Sequence, residues 1–210
     1  MTMMLSEAIE LCKLHVRRAT WLTESDWRHL LDQSAKQLQR MTNILAADFR
    51  VQLVDGVRVY DLSASGAYRI IEDARMGTST VYMRSRSVLK NRDIDTPGTP
   101  QYVYEDGAFR IGLWPVPDST VDGSNLYVRC LYFPDDINVS TPLTQQLPFE
   151  PGHHDIVVMG AVLLAERIDT DIIVSRDIRN DYETGVVSMR AAAQARVPGS
   201  STMRRFDGGR

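Results

Sequence analysis

The sequence predicts an α+β fold: a helical bundle built from the N- and C-terminal helices, an inserted antiparallel β-sheet domain, and an extended C-terminal tail. Three observations predict it. Apolar residues recur every three or four positions up to residue 45 and again after Pro148, which is a helical period. Between residues 49 and 133 they alternate instead, which is a strand period. Short turns separate the alternating runs, favouring an antiparallel meander of about six strands over a parallel sheet.

The first helix is read from Leu5, Ala8, Ile9, Cys12, Val16 and Ala19, which share one helical face, with Ser6 or Thr2 as its N-cap. Thr20-Trp21-Leu22 breaks it, and Thr23 with Asp26 signals a second helix. That helix is expected over residues 23–47, with Trp27, Leu30, Leu31, Ser34, Leu38, Met41 and Leu45 as its apolar stripe. No Gly or Pro before residue 56 forces an earlier end. From Asp48 the period changes. Phe49, Val51 and Leu53 lead to a hairpin turn at Asp55-Gly56, with Val57 and Val59 on its far side. Strands are expected at residues 67–74 and 80–83 around Gly77, and a short helix at 85–91. A second hairpin is expected at Asp106-Gly107, joining 101–105 to 108–114, and a last strand at 125–133. After Pro148 and Pro151, residues 152–168 are apolar over much of their circumference and predict a well-buried helix. Asp169-Thr170-Asp171 breaks it. The final helix, 174–195, carries an Ile178, Tyr182, Val186 and Met189 stripe.

Each terminal helix pair is too small for a good core alone, so the two are expected to pack together. The resulting division is residues 1–48 and 148–195 for the bundle, 49–147 for the β domain, and 196–210 for the tail. With 210 residues, 43% of them apolar and 24% charged, the chain resembles a soluble globular protein that buries its own core. The net charge of -3 argues against a nucleic-acid binder, which is normally basic over at least one face. No apolar run is long enough to span a membrane, and the N-terminus lacks the pattern of a secretory signal, so the expected compartment is the cytoplasm of the producing cell. The last fifteen residues differ from the rest: four arginines against one aspartate give +3, leaving -6 on the other 195 residues. Such a segment buries too little apolar surface to order by itself, and a partner chain is the expected support.

Catalytic patterns are weak throughout. His153-His154-Asp155 is the densest group of metal-capable side chains, but adjacent histidines on a helix diverge by about 100° and rarely share an ion. Asp155 suits the positive end of a helix. Asp169 and Asp171, and Asp135-Asp136, read as caps and turns. Cys12 and Cys130 fall in apolar stretches and are expected to be core thiols. Arg84, Arg86, Lys90 and Arg92 form a basic stretch that Asp93 and Asp95 offset, as in a solvated loop. No phosphate loop or nucleophile elbow is present in the sequence. The expectation is a protein with no catalytic residue, no metal and no cofactor.

The order of signals from residue 49 to 160 is distinctive. It runs from Val51 through the Asp55-Gly56 turn to Tyr60 and Leu62, then Tyr68-Arg69-Ile70-Ile71. Gly98-Thr99-Pro100-Gln101-Tyr102 and Phe109-Arg110-Ile111-Gly112-Leu113-Trp114-Pro115-Val116-Pro117 follow. Leu126 to Tyr132 then precedes Leu147-Pro148 and the helix with Gly160-Ala161. This order resembles the head-to-tail adaptor, or neck and connector, proteins of tailed bacteriophages, although Ser63 stands where their hairpin ends in Pro.

The resemblance implies a virion structural protein, located in the neck or tail and assembled in the host cytoplasm. It implies a homo-oligomeric ring, a dodecamer, that binds the portal protein ring and further tail or neck proteins. Genomic DNA would pass through the channel without sequence-specific binding. It also implies a tail that docks on the portal. For this tail Arg196, Arg204 and Arg205 would pair with carboxylates, and Met203 and Phe206 would fill apolar pockets, with Val197, Pro198 and Gly199 as the hinge. Other readings stay open: a tail-tube or stopper-type completion protein, a nucleic-acid-binding module using the basic stretch and tail arginines, or a hydrolase around His153, His154 and Asp155.

Overall fold

The computed structural model describes residues 2–16, 21–62, 68–89, 95–107, 109–169 and 171–195, with the side chains of 68–70 excepted. In chain order the elements are α1 (Leu5–His15), α2 (Glu24–Thr42), β1 (Ala46–Gln52), β2 (Val59–Asp61), β3 (Tyr68–Met76), β4 (Ser79–Thr80) and β5 (Tyr82–Met83). They continue with α3 (Arg86–Leu89), β6 (Tyr102–Glu105), β7 (Arg110–Trp114), β8 (Asn125–Tyr132), α4 (His154–Ile168) and α5 (Arg176–Ala195). Helices and antiparallel sheets make this an α+β fold. The chain divides into two compact units, one formed up to Ile44 and again from Pro134 onward, the other by Leu45–Phe133.

In the helical unit α4 packs against α1, α2 and α5. His154, Ile156, Val157, Val158, Gly160, Ala161, Val162 and Ala165 are all buried, so apolar residues around most of its circumference meet neighbours. Gly160 permits the closest approach: a Cβ there would stand 2.3 Å from Ser34 Oγ on α2. The first turn of α1 departs from the expectation of a Ser6 or Thr2 cap. Met4 holds the cap position, and Glu7 Oε2 accepts from its N–H at 2.8 Å. The next donors are satisfied from afar, Leu5 N–H by Gln145 O and Ser6 N–H by Leu143 O, which leaves Ser6 no capping role. At α2 the expected Thr23–Asp26 pair is present: Asp26 Oδ2 accepts from Thr23 N–H at 2.7 Å, and Thr23 Oγ1 accepts from Asp26 N–H at 3.3 Å.

The end of α2 corrects the sequence-based boundary. The helix stops at Thr42 and not at Ala47, because Asn43 turns left-handed at φ 54 and its N–H bonds Gln39 O at 2.9 Å. Asparagine is the non-glycine residue that tolerates this geometry best, so a chain without Gly still ends its helix here. Arg190 on α5 donates to the freed Met41 carbonyl at 2.8 Å.

The β unit holds two four-stranded sheets, ordered β1-β8-β3-β4 and β2-β7-β6-β5, in place of a single meander. Inward side chains from both, among them Val51, Ile71, Leu126 and Val128 from the first and Tyr60, Val103, Ile111 and Leu113 from the second, form one core. The Asp106-Gly107 hairpin is as expected, with β6 and β7 antiparallel and Glu105 opposite Ile111. The Asp55-Gly56 segment is a turn but not a hairpin. β1 pairs with β8 and β2 with β7, so this turn carries the chain from one sheet to the other. Gly56 has φ 73, and the Tyr60 hydroxyl accepts from Val54 N–H at 2.9 Å, pinning the switch. One pair is parallel: β5 and β6 run in the same direction after the crossover through α3.

Candidate interaction surfaces

The residues that the sequence singled out most sharply, Arg196, Val197, Pro198, Gly199, Met203, Arg204, Arg205 and Phe206, lie outside the described residues. So do Lys90 and Arg92 of the basic stretch. The last described element before the tail is α5, which seats Val186 and Met189 in the helical unit and leaves Val187 exposed on its other side.

His154 is buried, and both of its ring nitrogens are engaged by backbone. Nδ1 accepts from Met3 N–H at 3.0 Å, so Nε2–H donates to the Phe149 carbonyl at 2.6 Å. Neither nitrogen is left for a metal. The histidine joins the N-terminal segment to the approach of α4, and Leu147 N–H adds a bond to Met3 O at 3.2 Å. Among the described residues no group of three or more metal-capable side chains comes together. Asp169 Oδ1 accepts from Asp171 N–H at 3.0 Å. Cys12 and Cys130 are fully buried. Burial pushes the Cys12 thiol far up, and burial followed by Glu105, Glu72 and Asp48 pushes Cys130 up to about 12.

A polar ladder on α2 escaped the sequence reading. Arg28, Asp32 and Lys36 lie one turn apart on one face and hold the loop after Pro134. Arg28 Nη1 donates to Asn138 O at 2.9 Å and Thr141 O at 2.6 Å, and Asp32 Oδ1 accepts from Ile137 N–H at 3.0 Å. Lys36 pairs with both Asp32 and Asp136. Burial works against the Lys36 charge, but the two carboxylates outweigh it and hold its pKa above the ordinary value.

The outward face of β2-β7-β6-β5 carries the most distinctive surface. Tyr82, Tyr102 and Trp114 are register partners on three adjacent strands. Their ring centroids are 6.4 Å and 5.6 Å apart, and the Arg84 guanidinium stands 5.9 Å from the Tyr102 centroid. Tyr82 is 60% exposed. Around the row, Arg86 pairs with Asp106 and Arg58 with Asp95. The sequence placed Arg84 and Arg86 in a solvated loop. It missed the aromatic row, because only the register brings residues 82, 102 and 114 side by side.

At the other edge of that sheet, the turn before β2 exposes Val54 and Val57 beside Asp55. Asp55 N–H donates to Asp122 Oδ1 at 3.0 Å, which draws a second exposed carboxylate to the turn. No described helix is long and apolar enough to cross a membrane.

Polar groups in the helical unit thus tie loops to helices, buried thiols are inert, and the distinctive surfaces are aromatic and charged patches. These are the features of a protein that works by contact. Residues 10–205 match the SU10 adaptor protein family, and the chain belongs to it. It is a phage adaptor protein and a virion component. A search among curated proteins returned no match.

Proposed function

We propose that this protein is a head-to-tail adaptor. Its subunits form a ring, a dodecamer, that joins the portal to the tail and continues the DNA channel. The observation that carries this reading is the family match over residues 10–205, nearly the whole chain. The charge distribution supports it: the body, at -6, repels DNA passing along a channel, while the basic last fifteen residues are suited to another protein. In this reading the helical unit, up to Ile44 and from Pro134, forms the bundle, Leu45–Phe133 the β domain, and residues 196–210 the docking tail. Arg196, Arg204 and Arg205 meet carboxylates of the portal, Met203 and Phe206 enter apolar pockets, and Val197-Pro198-Gly199 is the hinge.

Native mass spectrometry with the candidate portal ring tests this, using the full chain and a chain cut after Ala195. Full-length subunits adding in matching copy number, with the cut form failing to add, is the expected result. If neither form adds, the portal assignment is wrong and a more distal tail-tube or stopper position replaces it.

A further inference from the structure

We infer that the edge strand β1 pairs antiparallel with β1 of a second copy about a two-fold axis at Phe49, joining two β units into one continuous sheet. The inference goes beyond the ring proposed above and stands apart from it. A cyclic ring closes through contacts between different patches, whereas this contact sets one patch against itself.

The sheet edges are unequal. β2, β4 and β5 are edge strands of two or three residues, short enough to offer a partner little. β1 runs for seven residues, Ala46–Gln52, in unbroken register with β8. No proline, bulge or lysine blunts it, and its two charges are of opposite sign.

The phase of the ladder shows which backbone groups are spare. Tyr132 N–H donates to Leu45 O, and Leu53 N–H to Ser124 O, so Leu45, Ala47, Phe49, Val51 and Leu53 bond β8. The N–H and C=O groups of Ala46, Asp48, Arg50 and Gln52 therefore point away from β8, along the open edge. Among the described residues no bond from outside the sheet ladders reaches them.

The side chains decide the occupant. Asp48 and Arg50 flank Phe49, so a two-fold register centred on Phe49 sets Asp48 opposite Arg50 of the second copy, twice over. Ala46 then meets Gln52, and all four edge residues fall in hydrogen-bonded pairs. Slipping by two residues sets Arg50 against Arg50 or Asp48 against Asp48, and slipping by one takes the donors out of phase. Arg50 is exposed, gives its Nε to Asn125 Oδ1 at 2.7 Å, and has no carboxylate partner among the described residues. Asp48 already faces Arg129 and Arg75, yet its side chain is 38% exposed. Asp48, Arg129 and Asp73 are register partners of alternating sign across β1, β8 and β3, and Arg50 of the second copy continues that alternation. On the core side Phe49 is only partly buried, and its counterpart closes over it.

Disulfide trapping in the full chain tests the contact, since the native thiols are buried. Phe49 lies opposite its counterpart in a non-hydrogen-bonded pair, with Cα atoms about 4.5 Å apart, within disulfide reach. Phe49→Cys is expected to oxidise to a covalent dimer and no further. Ala46→Cys combined with Gln52→Cys, which leaves Phe49 in place, should give the same dimer. Gln52→Cys alone should stay monomeric, because its counterpart is about 20 Å away. In the double-cysteine background Arg50→Glu should lower the cross-linked fraction about tenfold, and Arg50→Lys should keep most of it. Circular dichroism checks that each variant is folded. In the natural chain, the amides of Asp48 and Arg50 should gain protection from hydrogen exchange as concentration rises, with those of Ala47 and Phe49 protected throughout. Folded variants that give no dimer would overturn the inference. So would a Gln52→Cys variant that cross-links equally well, a dimer indifferent to Arg50→Glu, or edge amides indifferent to concentration. The portal ring keeps the two proposals apart. Copies that add to it without ever cross-linking through β1 sink this contact alone; copies that cross-link and never add sink the ring alone.

Discussion

The ring of Tyr104 on β6 lies over Gly112, its register partner on β7, so closely that a Cβ at Gly112 would stand 2.1 Å from Tyr104 Cζ. The missing side chain is the room in which the buried Tyr104 sits, on the same face as the Tyr102–Trp114 pair. Gly112→Ala should therefore destabilise the protein by about 1–3 kcal/mol, the usual cost of an overpacked interior. Urea unfolding measures it. Tyr104→Ala should remove most of that penalty, and strict additivity of the two changes would refute the relationship.

Gly160 makes the analogous prediction for the helical unit. Ser34 Oγ donates to the Val157 carbonyl at 2.7 Å and occupies the space that a Cβ at Gly160 would need. Gly160→Ala is expected to cost about 1–3 kcal/mol, and Ser34→Ala in the same chain to recover part of it. Thermal unfolding of the double-mutant cycle reads the coupling.

The Thr23–Asp26 cap gives a pH dependence with a definite sign. Hydrogen bonds from the Thr23 side chain and backbone hold the Asp26 carboxyl below its ordinary value. A depressed folded-state pKa means stability that is present above the unfolded pKa and lost as pH falls through the folded one. The stability difference between the natural chain and Asp26→Asn should thus be constant near neutrality and shrink on acidification through the aspartate range. Urea melts at a series of pH values test this; a difference that grows toward low pH would contradict the cap.

Cys12 and Cys130 should be silent toward a thiol reagent in the folded protein and both react after denaturation, because burial disfavours the thiolate that attacks. Rapid native labelling of either, located by peptide mass spectrometry, would show that its strand or helix opens readily.

Local chemistry was legible in the sequence wherever a few neighbouring residues decide the outcome. The stripe of α1, the Thr23–Asp26 cap, the burial of α4 and the Asp106-Gly107 hairpin all follow from side chains within a turn or two of one another. The end of α2 was legible in principle, in Asn43, but an asparagine selects the left-handed conformation far less strongly than a glycine does.

What remained hidden was pairing. Asp55-Gly56 and Asp106-Gly107 are the same dipeptide; one closes a hairpin and the other passes the chain between sheets. Turn residues specify only that the chain reverses. Which strand receives it depends on burying Val51 and Leu53 on one sheet and Tyr60 and Leu62 against it, a choice spread over the whole unit.

The sequence by itself determined the α+β class, most elements and the adaptor resemblance, because periodicity and turn chemistry are short-range and survive being read one window at a time. Tertiary structure alone decided that Tyr82, Tyr102 and Trp114 form one row, that Gly112 makes room for Tyr104, and that His154 is committed to backbone. The row and the His154–Met3 bond join residues far apart in the chain, and the fit of Tyr104 over Gly112 exists only once the β6–β7 register is set.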